Sequence, residues 1–199
     1  MLDLAASGAR VLQLRSVEFA RNHGVRLHVW STFTGEQRTR IREEDEPMLE
    51  KATISGVTYA LDEAVYEVDG VPPADLFEAL AEADVSVDTA AQIGSGTVFS
   101  ASLGDRVATA AVLDRLGATW SERDHLGKVS VVGTGLKSHP DVAARTFATL
   151  RDLRLEPQFI AISPMKIAFY VPKAEVERTA KTLREALGLS SGKTERARA

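Results

Sequence analysis

The sequence predicts an α+β chain with two ferredoxin-like units, each of the element order β-α-β-β-α-β. Short runs of β-branched residues alternate with amphipathic segments from Thr53 onward. The same order of elements recurs after about 65 residues, which indicates an internal repeat. The composition, with 44% hydrophobic and 26% charged residues, is typical of a folded globular protein. Each unit should therefore form an antiparallel sheet with both helices on one face.

Two segments precede the repeat. Residues 1–33 predict helices followed by one strand, because apolar residues first recur at helical spacing and then alternate in VRLHVWSTF. Gly8 is expected to break the helical part and Gly24 to end it. Residues 34–52 are rich in Glu and Arg and predict an exposed, charged linker. The acidic run 43–46 could suggest a cation site, but consecutive carboxylates more often face water.

The first unit is expected over residues 53–122. Pro72-Pro73 should lead a helix with an apolar face of Leu76, Phe77, Leu80 and Ala83. The Gly94-Ser95-Gly96 turn indicates a hairpin. Val107, Ala111, Val112 and Leu116 mark the core face of a second helix. The predicted strands are 53–61, 64–68, 85–92, 97–103 and 118–120.

The second unit is expected over residues 123–189, followed by a polar tail, 190–199, that predicts disorder. Its strands are predicted at 128–132, 156–162 and 166–171, and its helices at 140–153 and 173–187. The stretch from Lys128 to Phe147 combines a strand, a glycine loop and a helix start. Such a start presents free N–H groups that can hold a carboxylate or a phosphate. Most strand–helix connections bind nothing, so a purely structural role is the alternative.

Composition and motifs exclude several functions. The net charge of -4 argues against a nucleic-acid surface, and the absence of cysteine excludes disulfides and thiolate metal sites. No apolar run is long enough for a membrane span and no signal peptide is recognisable, so we expect a cytoplasmic protein. The four histidines lack metal-ligand spacing. Leu136 before Lys137 breaks a Walker A pattern, and Ser138 breaks a dinucleotide fingerprint. We therefore expect no metal, no cofactor and no catalytic residues.

Several stretches in order resemble one family over almost the whole chain. The most recognisable are ATISGVTYALDEAVYEVDGVP, KVSVVGTGLKSHPDVAARTFATL and FIAISPMKIAF. The chain resembles the C-terminal regulatory part of aspartate kinases, which consists of two ACT domains, and is similar to the small regulatory (beta) subunit of some of these enzymes. Residues 1–33 resemble the end of the kinase domain, and a chain that begins with Met1 there fits an internal start.

The resemblance implies a regulatory, non-catalytic chain of the pathway to lysine, threonine and methionine. The family's Lys-Phe-Gly-Gly and Thr-Asp-Val-Asp-Gly kinase segments are absent, so no activity is expected from this chain alone. It implies self-association through the ACT domains, a kinase catalytic chain as a possible partner, and lysine or threonine as a possible effector. Because the family's ACT units are interleaved, the strand at 53–61 is expected to be shared with the second sheet.

The resemblance also implies an effector site, formed by residues of the glycine loop and two strands. Its members are Gly135, Leu136, Lys137, Ser138, His139, Asp141, Gln92 and Ile162. The pattern departs from the family at several of these positions. Ile93 replaces an asparagine, Asp141 replaces a glycine, and Ala161-Ile162-Ser163-Pro164 stands where the family has Ser-Thr-Ser-Glu. The loop 70–75 is also shortened. We therefore expect a degraded site that binds lysine and threonine weakly or not at all.

Two other functions stay open. The chain could be a free-standing ACT amino-acid sensor or assembly module without a kinase partner, or an aspartate kinase relative that has lost its activity. A sensor has no need of the kinase-like residues 1–33, whereas a subunit that docks onto a kinase could use that surface.

Overall fold

The computed structural model describes residues 12–30, 37–41 and 53–189. It begins with helix α1 (Leu14–Asn22) and two strands, β1 (Leu27–Trp30) and β2 (Gln37–Ile41). The two strands form a small antiparallel sheet, with Leu27 opposite Ile41. The prediction of a linker throughout 34–52 was therefore wrong for β2. Charge patterning indicates exposure, whereas strand pairing depends on backbone hydrogen bonds that any non-proline residue supplies.

Some predictions fall outside the described residues. These are the break at Gly8, the acidic run 43–46 and the disordered tail 190–199. Within the described residues, no helix is long and apolar enough to cross a membrane.

The first sheet has the strand order β5-β6-β4-β7, and all its pairings are antiparallel. Two helices pack on one face of it and share its hydrophobic core. The elements are β4 (Glu63–Asp69), α2 (Pro73–Glu82), β5 (Val87–Ile93), β6 (Gly96–Ser102), α3 (Arg106–Arg115) and β7 (Thr119–Arg123). The predicted hairpin is present, with Ile93 opposite Gly96 and Gly94 at a φ of 62°, where glycine is favoured.

The second sheet has the order β3-β8-β10-β9 and is also antiparallel. Its elements are β3 (Thr53–Ala60), β8 (Leu126–Thr134), α4 (Pro140–Asp152), β9 (Phe159–Ile162), β10 (Lys166–Pro172) and α5 (Lys173–Ala186). Strand β3 lies at its edge, beside β8, although β3 is joined to β4 of the first sheet by Leu61 and Asp62 alone. The predicted fold class, α+β with two ferredoxin-like units, is confirmed. The residue boundaries of the two units remain predictions.

The helix α3 turns only part of the predicted face to the core: Val112 is buried and Leu116 packs against the core as expected. Val107 is 82% exposed and Ala111 is also exposed, whereas Thr109, Val112 and Leu113 are buried. The prediction was wrong for Val107 and Ala111 because RVATAAVLDR carries small and apolar residues all round, so its periodicity does not select one face. Thr109 is tolerated inside because its hydroxyl donates to the Asp105 carbonyl over 2.9 Å.

The two sheets pack against each other through the faces that their helices leave free. Val65 of β4 forms one buried cluster with Leu126, Phe159 and Tyr170 of the second sheet. The helices lie outside, where α4 and α5 cover Val129 and Val131 of β8. The result is a four-layer arrangement of helices, sheet, sheet and helices.

Candidate functional site

The glycine loop follows β8 and is held by its own backbone. Gly135 adopts a φ of 70°, and a single 3-10 turn, Leu136–Ser138, leads to Pro140 at the first position of α4. The Ser138 and His139 amides donate back to the Gly135 and Leu136 carbonyls over 3.0 and 3.3 Å. The loop is therefore a compact turn that delivers the chain to a helix start.

The side chains of this loop differ in what they can offer a ligand. Leu136 is 5% exposed and packs in the core, so only its backbone is available. Ser138 is exposed and His139 half-buried, and His139 Nδ1 lies 3.9 Å from Asp141 Oδ1. Among the described residues no side chain caps α4, and the exposed Asp141 carboxylate lies in its first turn. That carboxylate interacts favourably with the positive helix end and opposes a second anion there. The side chain of Lys137 is outside what the structure describes.

The turn between β9 and β10 lies against the base of the loop. The Gly133 amide donates to the Met165 carbonyl over 3.0 Å, which joins the end of β8 to this turn. Ile162 is 59% exposed at the end of β9. The Ser163 hydroxyl accepts from the Lys166 amide over 3.0 Å, and the Ser163 amide donates to the Lys166 carbonyl over 2.8 Å. Ser163 therefore stabilises the turn with groups that a ligand could otherwise use.

The remaining candidate, Gln92, lies on the other sheet. It is exposed on β5, an edge strand of the first sheet, opposite Thr97 of β6. The other seven candidates belong to the second sheet and its loop. Within one chain, the predicted site is thus divided between two sheets.

The equivalent connection in the first unit is shorter. Three residues, 70–72, join β4 to α2, whereas five residues, 135–139, join β8 to α4. Both connections use a glycine at positive φ, with Gly70 at 82°, and both helices begin with proline. Asp75 provides a first-turn carboxylate here. The repeat therefore carries the same helix start twice.

The structure also shows a groove that contains none of the candidates. It has a volume of about 400 Å³ and lies between α2 and α3. Its lining residues are Glu82, Ala83, Ala108, Ala111, Val112 and Arg115. No group of three His, Asp or Glu residues in the described ranges is placed to hold a metal ion.

Sequence reasoning missed a polar cluster buried between the two sheets. Lys128 of β8, 1% exposed, forms an ion pair with Glu63 of β4, and its Nζ lies 3.1 Å from Asp88 Oδ2 of β5. Lys166 Nζ lies 3.6 Å from the same oxygen. Tyr170 donates to Glu63 Oε2 over 2.9 Å. We call these five residues the inter-sheet charge cluster. A lysine on the buried strand KVSVV was the available signal, because a buried cation requires partners.

The charges in this cluster stabilise one another. Burial lowers the pKa of the Lys128 ammonium, but Glu63 and Asp88 outweigh burial and leave the pKa above its ordinary value. Burial raises the pKa of the Asp88 carboxyl, but Lys128, the hydrogen bond from Thr89 and Lys166 together outweigh burial, so the pKa lies below its usual value. Burial and the Glu63 charge raise the pKa of Tyr170. Lys128 and Asp88 are therefore both charged at neutral pH, and Tyr170 is protonated as a hydrogen-bond donor.

The chain is similar to a known protein family in sequence and in structure. The model of the ACT domain family matches residues 129–187. An aspartokinase of Mycolicibacterium smegmatis is 35% identical over 95% of this chain and 49% of its own length. The chain thus spans about half the length of the curated relatives it matches.

Two solved structures are similar over their whole length. One is the ligand-free regulatory subunit of aspartate kinase from Thermus thermophilus, with 26% identity, a TM-score of 0.62, and coverage of 67% of this chain and 99% of that one. The other comes from a structure of aspartokinase alpha and beta subunits, with 30% identity, a TM-score of 0.62, and coverage of 69% and 100%.

Proposed function

Because the chain belongs to the aspartate kinase family and matches its ACT-domain regulatory region, we propose that it is a regulatory, non-catalytic aspartate kinase subunit. One observation carries the proposal: this chain accounts for the full length of a separate regulatory subunit, 99% of the Thermus thermophilus chain. Two ACT units can bind an effector or a partner chain and so regulate a kinase. Without the kinase segments they do not supply the residues that phosphoryl transfer needs. The subunit would act on a kinase catalytic chain of the aspartate-family amino-acid pathway.

Regulation by such a subunit requires two arrangements of the assembly. A ligand or partner that prefers one of them shifts the equilibrium by its difference in affinity. Self-association would supply the second copy, because β5 and β9 are edge strands within one chain and can pair with another. Such pairing could also bring Gln92 of one copy to the glycine loop of the other, which a single chain does not do.

We further propose that the effector site is degraded. An amino-acid carboxylate would have to approach the α4 start beside the Asp141 carboxylate, which repels it. Ile162 offers no polar side chain, and the Ser163 hydroxyl is already used in its turn. Lysine and threonine should therefore bind weakly or not at all.

Isothermal titration of the chain with lysine and with threonine tests the effector site. We expect no micromolar binding of either amino acid; a micromolar dissociation constant for one of them contradicts the degraded site. Asp141→Gly, which removes the repelling carboxylate, should strengthen any residual binding. The matched control is Asp75→Gly, which removes the first-turn carboxylate of the first unit and should leave binding unchanged.

A free-standing ACT module is the alternative function. It is favoured by the extensive packing of the two units within one chain, with one core under each pair of helices and a third cluster between the sheets. Such a chain does not require a kinase domain to cover its sheets. Affinity purification of the tagged chain from its own cells separates the two functions. Recovery of an aspartate kinase catalytic chain supports the subunit, and its absence supports the module.

A further inference from the structure

The inter-sheet charge cluster joins the two sheets at every one of its contacts. Lys128, Lys166 and Tyr170 lie on β8 and β10 of the second sheet, whereas Glu63 and Asp88 lie on β4 and β5 of the first. The Tyr170 hydroxyl also lies 2.7 Å from Ser100 Oγ of β6. The cluster contains two cations and two carboxylates, so its charges balance. The contacts therefore join the two sheets to each other and do not connect strands within one sheet.

Outside the cluster, Arg123 of β7 donates to Gln158 Oε1 over 3.2 Å, and the apolar part of the inter-sheet contact has little directional preference. Val65, Leu126 and Phe159 bury area whichever way the sheets are turned, because the hydrophobic effect is non-directional. Buried charges behave differently, because each must keep its partner within hydrogen-bond distance. A rotation of one sheet would separate Lys128 from its carboxylates at a high cost. The cluster thus selects one orientation among many of similar buried area.

Two separate attachment points make this selection effective. Glu63 follows the two-residue crossing from β3 to β4, so its contact with Lys128 adds little beyond the chain connection itself. Asp88 lies at a different place, on the edge strand β5. The pairing of β5 with β6 shifts register between Val87 and Thr89, so Asp88 occupies a β-bulge. Bulges redirect side chains, and Thr89 Oγ1 also donates to Asp88 Oδ2 over 2.7 Å. The chain crossing between β3 and β4 fixes the sheets at one point. The contact of Asp88 with Lys128 fixes them at a second point, and the two together prevent rotation about the crossing.

We propose that the inter-sheet charge cluster fixes the two sheets in a single relative position, so that the two units move as one body. Asp88 and Lys128 are the positioning residues. A displacement imposed on the helices of one unit is then transmitted to the other sheet without local deformation at the interface. The proposal concerns the chain itself and does not depend on an effector or on a kinase partner.

Distance measurement between two spin labels tests the proposal, and the chain contains no native cysteine to interfere. Cysteines replace Val107 on α3, 82% exposed, and Arg151 on α4, whose side chain is 80% exposed. The labelled chain is diluted with unlabelled chain so that only distances within one copy contribute. We expect one narrow distance distribution for the parent chain, and a broadened or split one for Asp88→Asn and for Lys128→Met.

A triple variant covers the possibility that Lys128→Met fails to fold. Lys128→Met, Glu63→Gln and Asp88→Asn together remove the buried cation and both of its carboxylate partners, and such a replacement of a whole ionic group is often tolerated. We expect it to fold by circular dichroism and to show the broadened distribution. The matched control is Arg115→Met, which breaks the exposed ion pair with Glu82 inside the first unit and should retain the narrow distribution.

Two results overturn the proposal. The first is a parent-like narrow distribution in folded Asp88→Asn and in the folded triple variant. The second is loss of folding in every cluster variant, including Asp88→Asn, because a contact that only positions the sheets is not needed for each unit to fold.

Discussion

The two units share one element order but present different surfaces. In the first unit, exposed apolar side chains lie on the helices, at Val107 and Phe77, and also at the end of the edge strand β5, at Ile93. In the second unit, the outer faces of α4 and α5 are charged, and the exposed apolar residues Ile160 and Ile162 lie on the edge strand β9. A repeat therefore conserves the buried half of its pattern, which the core requires, while its exposed half is free to diverge.

The largest effect on stability is expected at the contact that joins the two units. Lys128→Met removes the buried cation that pairs with Glu63 and Asp88, so Glu63 loses its cation and Asp88 keeps only the 3.6 Å contact with Lys166. We expect a loss of about 3–5 kcal/mol in the free energy of unfolding, measured by urea denaturation. Lys166→Met is the control, because its 3.6 Å contact with Asp88 lies nearer to solvent and should contribute less than about 1 kcal/mol. Equal losses in the two variants would contradict this difference.

The second prediction concerns the face of α3. Leu113 is fully buried, so Leu113→Ala should cost about 2–5 kcal/mol through lost burial and the cavity it leaves. Val107→Ala, on the same helix, should change the free energy of unfolding by less than about 0.5 kcal/mol. Urea denaturation measures both. A large effect of Val107→Ala would show that this exposed residue is covered by another molecule in solution.

The third prediction uses one tyrosine from each unit. Burial and Glu122 raise the pKa of Tyr66 from 10.0 to about 12, and burial and Glu63 raise the pKa of Tyr170. Each group keeps its proton longer in the folded state, so its contribution to stability is complete below pH 10 and is lost as pH rises further. Phenolate absorbance should show Tyr66 titrating near 12, and Tyr66→Phe should remove that step. A Tyr66 step at its ordinary pKa of 10.0 would mean that the side chain is hydrated.

Much of the fold could be predicted because it follows from local patterns. The repeat placed the hairpin at Gly94 and the proline-led helix starts without any knowledge of long-range contacts. Face assignment succeeded where the helix was clearly amphipathic and was wrong for two of four residues of α3, where apolar residues surround the axis. The strand β2 was missed because the charged side chains of its segment do not indicate whether the backbone pairs with another strand.

The candidate site could be predicted only in part. The sequence identified the glycine loop and its helix start, but the division of the candidates between two sheets depends on tertiary packing. The inter-sheet charge cluster could not be found from spacing, because Lys128 is 65 residues from Glu63 and 40 from Asp88. A buried lysine shows that partners exist, and only the packing of the sheets shows which residues they are.

The proposed subunit regulates an aspartate kinase and does not itself phosphorylate aspartate. The direct test is the rate of aspartate phosphorylation by the kinase catalytic chain from the same cells, with and without this chain, and by this chain alone. We predict no activity from this chain alone and a changed rate, or a changed response to lysine or threonine, when the two are combined. Phosphorylation by this chain alone, or a catalytic chain whose rate and effector response are indifferent to its addition, would contradict the claim.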